Sequence, residues 1–178
     1  MIAKETVLIS TFAAITAVLG MLPPIPVSII PVPLTAQTLG VMITGCILRP
    51  TSALFAMLLF LILLSFGLPI LSGGRGGIGV FFGPSSGFLI GWPIGAFIIS
   101  FLLKKTRRLF FHYIFANLIG GVFVIYFFGI LFMALILDLS LFDSFTTSLI
   151  FLPGDFAKVI LAAAVSSHVV RAYPDRDI

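Results

Sequence analysis

Charge is scarce in this chain. Asp, Glu, Lys and Arg make up 9% of its 178 residues, whereas soluble domains carry about 25%, so the sequence cannot cover a water-facing surface. Cysteine is nearly missing as well. Cys46 stands alone, which excludes an internal disulfide and a cysteine-built metal cluster, and its apolar surroundings read as those of a small buried hydrophobe. No Gly-Lys pair followed by Ser or Thr occurs, so there is no phosphate loop of the Walker type. No internal repeat is visible, which leaves an inverted-repeat transporter unsupported.

What is present is apolar: 60% hydrophobic residues, 20 Phe and a mean hydropathy of +1.28. The chain must therefore be divided by spanning segments, not by soluble-domain sizes. Apolar blocks fall at 6–22, 34–48, 51–66, 85–103, 109–137 and 155–170, and all six are expected to be helices. One helix over 34–66 would be roughly 50 Å long, against a hydrocarbon core of about 30 Å. A hairpin broken at Arg49-Pro50 is the better parse. Charge supports it, because six spans place Lys4, Arg49, the Lys104 to Arg108 run, Arg171 and Arg176 on one side, eight of the ten basic residues. That bias marks the cytoplasmic face, and it also accounts for the net charge of +4 without any nucleic-acid partner. The block at 109–137 has no charge and exceeds a perpendicular span, so it should tilt or project outward. Lys4 and Glu5 precede the first block with no small-residue cleavage site, so that block reads as a retained helix. The expected architecture is an all-α integral membrane protein, a single six-helix domain over 1–178. Both termini lie in the cytoplasm, and no segment is long enough for a separate ATPase head.

The residues that do not belong in lipid gather in the outward half, around loops 23–33, 67–84 and 138–154. Asp155 and Lys158 open the last block three residues apart, on one helical face. A charge at the bilayer centre costs about 2.5 to 3.5 kcal/mol on insertion scales, so the two either pair with each other, with the Asp capping its helix, or face a cavity. Arg75 lies within Gly73-Gly-Arg-Gly-Gly-Ile-Gly79, a stretch that cannot hold a helix but lets backbone approach a bound molecule; the alternative is a solvated loop arginine. Prolines at 23, 24, 26, 31 and 33 stiffen the first loop, and Thr35, Gln37 and Thr38 come next, at the mouth of the second helix. Gln37 reads equally as a cap neighbour or an interhelical bond. Trp92 is a packing anchor or a pocket wall, and Phe81, Phe82 and Phe88 read as core before recognition. His112 and His168 lie near the cytoplasmic ends of their helices and apart from each other, an interfacial placement and not a metal site.

Three motifs together, Pro31-Val-Pro-Leu-Thr-Ala-Gln-Thr38, Gly73-Gly-Arg-Gly-Gly77 and Gly83-Pro-Ser-Ser-Gly-Phe-Leu-Ile-Gly-Trp92, with Asp155-x-x-Lys158, closely resemble the BioY family. These are the biotin-specific substrate-binding (S) components of energy-coupling-factor (ECF) transporters. The resemblance covers nearly the whole chain in order. It implies high-affinity capture of biotin outside the cell membrane of a prokaryote, with biotin as transported ligand and no cofactor. It also implies docking onto a transmembrane coupling subunit (EcfT-type) driven by ATPase subunits (EcfA-type). Asp155 and Lys158 match the family's ligand-contacting pair; Arg75 departs from the pattern, in which a neutral residue such as Asn is more usual.

Biotin offers an apolar ring, a ureido group with two N–H donors and a carbonyl, and a carboxylate. On this resemblance Asp155 accepts from a ureido N–H and Lys158 donates to the ureido carbonyl, as charge-assisted bonds. Arg75 holds the carboxylate in a fork, while Gln37, Thr35 and Ser85 supply neutral bonds; the opposite placement of the cations stays open. The runner-up within transport is a subunit of the same architecture for another vitamin, and two rival classes fare worse. An enzyme using Asp155 as acid or base lacks a second carboxylate or nucleophile in the outward half, and a channel would need polar residues repeated along several helices. In the first block, Thr6, Ser10, Ala13, Ala17 and Gly20 share a face. Small residues allow close helix approach in lipid, and Ala13-x-x-x-Ala17 resembles the family's partner-facing motif, so Ala13 and Ala17 are expected to dock the coupling subunit.

Overall fold

Backbone groups in lipid must be satisfied within the protein, which restricts a chain of this composition to helices or a closed barrel. The computed structural model describes residues 2–26 and 32–172 and takes the helical solution. Among these residues there is no strand, only isolated bridges pairing Ile25 with Leu34 and Leu71 with Arg75. Pro31 of the first motif and Arg176 lie outside the described residues. The helices are α1 (Ile2–Gly20), α2 (Gln37–Ile47), α3 (Pro50–Ser65) and α4 (Ser86–Lys104). They continue with α5 (Phe110–Leu137), α6 (Leu141–Ser148) and α7 (Leu152–Ala172), the last two joined by a 3₁₀ turn at Leu149–Phe151.

Four helical runs among the described residues are long and apolar enough to cross a membrane: Ala3–Gly20, Ser86–Lys104, Phe110–Leu137 and Leu141–Ala172; Gln37–Ile47 and Pro50–Ser65 are shorter apolar helices. The expected break inside 34–66 is present. Leu48 and Arg49 are extended, with ψ of 160° and 154°, and Pro50 opens α3, where its fixed φ suits the first turn and its missing N–H removes nothing.

Helix α4 is the centre of the bundle and packs on α2, α3 and α5. Gly87, Gly91 and Gly95 put small surfaces on one side of it. A Cβ built on Gly95 would come within 2.5 Å of the Gly120 carbonyl oxygen, and one on Gly120 within 2.5 Å of that of Gly95. Here the absence of side chains lets two backbones touch, the arrangement that favours helix association where lipid is as apolar as leucine. Gly120 belongs to a π-helical stretch, Asn117–Val124, inside α5. Such wide turns recur at functional sites, and Gly121 of this one lines the cavity that carries the charged residues.

The segment 138–154, expected as a loop, is mostly helical. Asp138, in the left-handed region at φ 53°, closes α5. Ser140 then caps α6, accepting the Asp143 N–H at 3.0 Å and donating to the Asp143 carboxylate at 2.6 Å. Helix α6 buries Ser144 and Ser148 and exposes Leu141, Phe142 and Phe145. That polarity is the reverse of a soluble surface helix, which is why the segment reads as a loop. Asp155 lies in the first turn of the final helix.

Candidate functional site

Between the first turns of α2, α4 and α7 and the middle of α5 lies a cavity walled by Leu89, Trp92, Phe88, Ile125 and Phe151, with Val32, Pro33, Leu34 and Leu71 towards its loops. Aromatic contacts hold that wall: Phe88 meets Tyr126 and Phe151 edge to face, at centroid distances of 6.0 and 6.2 Å, and Trp92 leans on Phe60 at 5.4 Å. Polar groups enter the cavity from six residues predicted for the site, Thr35, Gln37, Arg75, Ser85, Asp155 and Lys158, and from two others, Thr38 and Tyr126. The predicted residues, spread over the chain from 35 to 158, are thus brought to one place.

Asp155 is 6% exposed and at the centre of a closed network. Its Oδ1 accepts from Lys158 Nζ at 2.8 Å and from the Thr38 hydroxyl at 3.4 Å, and its Oδ2 accepts from the Tyr126 hydroxyl at 2.6 Å. Lys158 also donates to Thr38 at 2.9 Å. The charges pair with each other and also face a cavity, while the donors to Asp155 are side chains and not the N–H groups a helix cap would use. An ion pair removed from water is tolerable only when its remaining hydrogen-bonding capacity is met, and Tyr126 and Thr38 meet most of it.

Arg75 approaches from the glycine-rich loop. Gly73 and Gly74, at φ of 80° and 69°, turn the chain so that Leu71 and Arg75 exchange two backbone bonds of 3.0 and 3.2 Å. The Arg75 Nε–H donates to the Ser72 carbonyl at 3.2 Å, while no carboxylate among the described residues pairs with its guanidinium. Gln37 holds this loop from beneath. Fully buried, it donates to the Ile70 carbonyl at 3.1 Å and the Thr16 carbonyl at 3.4 Å, and accepts the Ser72 N–H at 2.9 Å. Its amide is therefore an interhelical and loop clamp at the cavity wall. Thr35 and Ser85 line the wall half-buried, Ser85 as the residue preceding α4.

Ala13 is 3% exposed and part of the bundle's own core, whereas Ala17 is half-buried against it. The later part of the small face of α1, Ala13, Ala17 and Gly20, packs internally, since α1 packs on α2 and α3 and Gly20 abuts the Ile70 carbonyl and Gln37, whereas Thr6 and Ser10 of the same face are exposed. Ser10, Thr11, Ala14 and Val18 form its open side. His112 and His168 are absent from the cavity: one stacks on Phe111, the other lies against the Ala164 carbonyl.

Sequence reasoning missed Tyr126 as a site residue. Its signal was present, because a tyrosine in an uncharged membrane span carries a hydroxyl that needs a partner when buried. Phe151, hidden in the segment read as a loop, left no such trace.

Comparison with known proteins identifies the family. The sequence model of the BioY family matches residues 1–175. A biotin transporter BioY from Rhizobium etli is 42% identical, the match covering 96% of this chain and 95% of the relative. A probable biotin transporter BioY from Bacillus subtilis is 44% identical, over 92% and 89% of the two chains. Among solved structures, the crystal structure of the S-component for biotin from an ECF-type ABC transporter superposes with a TM-score of 0.91 at 34% identity, covering 95% of this chain and 92% of that one. With a family match over nearly its whole length, and relatives that share both sequence and fold, this multi-pass membrane chain belongs to the BioY family.

Proposed function

We propose that this chain is the biotin-capturing subunit of an ECF-type uptake transporter in a prokaryotic cell membrane, a transport component and not an enzyme. The carrying observation is the Asp155–Lys158 pair, the Asp buried and the Lys partly so, set in an apolar cavity with Arg75 at its loop side. Asp155, Lys158 and Arg75 sum to one positive charge, which a ligand with one carboxylate neutralises. The aromatic wall suits a saturated ring, Asp155 and Lys158 take the ureido group, and Arg75 takes the carboxylate in a fork. Thr35 and Ser85 add neutral bonds from the wall, and Gln37 contributes by holding the Arg75 loop.

In this reading the two shorter helices, α2 and α3, cross as a hairpin. The bundle has six spans with both termini in the cytoplasm, and the cavity opens outward. A transmembrane coupling subunit and ATPase subunits energise release. Helix α1 docks the coupling subunit through its open side, Ser10, Ala14 and Val18, with Ala17 at the edge, where small residues permit close packing. Binding only to the folded state raises apparent stability with ligand concentration. Biotin should therefore raise the melting temperature of the detergent-solubilised protein more than riboflavin or thiamine do; a panel in which all three act alike would remove biotin as the substrate.

A further inference from the structure

The hydrogen bonds around Asp155 leave a countable remainder. An ionised carboxylate offers about four lone-pair sites and an ammonium three N–H donors. Lys158, Thr38 and Tyr126 occupy three of the four sites on Asp155, and Asp155 and Thr38 occupy two of the three donors on Lys158. One acceptor site, on Oδ2, and one donor, on Lys158, remain, both on residues that line the cavity. We infer that Tyr126, with Thr38, is a positioning and specificity-determining residue that trims the Asp155–Lys158 pair to a reader of one N–H/C=O edge, so that only one of the two ureido N–H groups of biotin is recognised at this pair. This deepens the proposed biotin-capturing function and rests on it.

Tyr126 has the geometry for the task. Its hydroxyl is held at 2.6 Å from Asp155 Oδ2, and its ring is locked edge to face against Phe88. Donation from a neutral phenol to a carboxylate in a poorly solvated site is a strong bond. It pins the carboxylate plane and takes one of the two lone-pair sites of Oδ2, leaving a single site there for a ligand donor. Tyr126 approaches from α5, Thr38 from α2 and Lys158 from α7 itself, so three helices fix the carboxylate; Arg75 is the other charged group lining the same cavity. A site built to bond an N–H rejects an isostere that lacks it, because its own acceptor is then left unpaired.

The test uses biotin and two cyclic carbamate isosteres, in each of which a ring oxygen replaces one of the two ureido N–H groups. Dissociation constants are measured on the purified protein in nanodiscs. The wild-type protein should bind biotin and one isomer, and bind the other about 100-fold or more weakly. Tyr126→Phe should weaken biotin about 10- to 100-fold and shrink the ratio between isomers, because the released oxygen can then turn to either edge. Thr38→Val, which frees Oδ1 and a Lys158 donor, should shrink the ratio too and serves if Tyr126→Phe folds poorly, with ligand-free melting temperatures reported for both. Equal loss for all three ligands with the ratio intact would make Tyr126 merely structural and overturn the inference. Tighter biotin binding by Tyr126→Phe would do the same, since Tyr126 would then be competing with the ligand. Wild-type binding of biotin with no preference between isomers defeats this edge reading alone, whereas no biotin binding at all defeats the proposed function and this inference with it.

Discussion

Replacing Asp155 by Asn keeps the shape of the side chain and removes its charge, and the surrounding bonds determine the consequences. Lys158 lies 2.8 Å from Oδ1 and Tyr126 2.6 Å from Oδ2, so the amide has one acceptable orientation. Its oxygen must face Lys158 and Thr38, because an NH₂ group there would meet an ammonium. The NH₂ then faces Tyr126, whose hydroxyl must turn away and accept. Deleting one partner of a buried ion pair costs about 3–5 kcal/mol; the retained oxygen keeps neutral bonds, so about 2–3 kcal/mol of ligand-free stability should be lost. Both lone pairs of that oxygen are taken, which leaves no acceptor for the ligand's N–H. Biotin binding should fall by roughly 1.5–3 kcal/mol, about 10- to 150-fold in Kd. The assays are denaturant unfolding of the solubilised protein and radiolabelled biotin binding. The double variant Asp155→Asn/Lys158→Met separates the two effects: removing the stranded cation should restore stability but not binding. Wild-type affinity in Asp155→Asn, or recovered affinity in the double variant, would refute the assignment of the pair to the ligand.

The same geometry governs three other variants. Arg75→Ala should weaken biotin more than biotin carboxamide, measured by competition, since only the former carries the carboxylate; equal losses would show that Arg75 does not read that group. Gln37→Leu strands the Ser72 N–H and the Ile70 carbonyl, costing about 1–3 kcal/mol of stability, and its effect on biotin affinity should be less than additive with Arg75→Ala because both act through one loop. Ala14→Trp should abolish copurification with the coupling subunit while sparing biotin binding, whereas Ala13→Trp, forced into a core position, should lose folding and binding together.

The parts of this molecule that stand out in its sequence are those whose cost in lipid is local. Arg49-Pro50 announces a break because a proline and a charge interrupt an apolar run, and α3 begins there. Asp155 and Lys158 announce a site because two charges in an apolar block require an explanation at any depth, and they are three residues apart on one face. The parts that do not stand out depend on partners distant in the chain. Tyr126 lies 29 residues from Asp155 and Thr38 lies 117 from it, so nothing near either position states that they complete one network. Gln37 is a polar residue at a helix mouth whichever partner it takes, but whether its amide meets a ligand or a loop depends on Ser72, 35 residues away. Ala13 is a different case. A small residue on a membrane helix permits close approach by any neighbour, and spacing cannot distinguish a helix of the same chain from one of another. Packing decides: with Thr16 and Gly20 on the same buried side, the close approach at Ala13 is made within the bundle, and the exposed face around Ala14 is the one proposed for the coupling subunit.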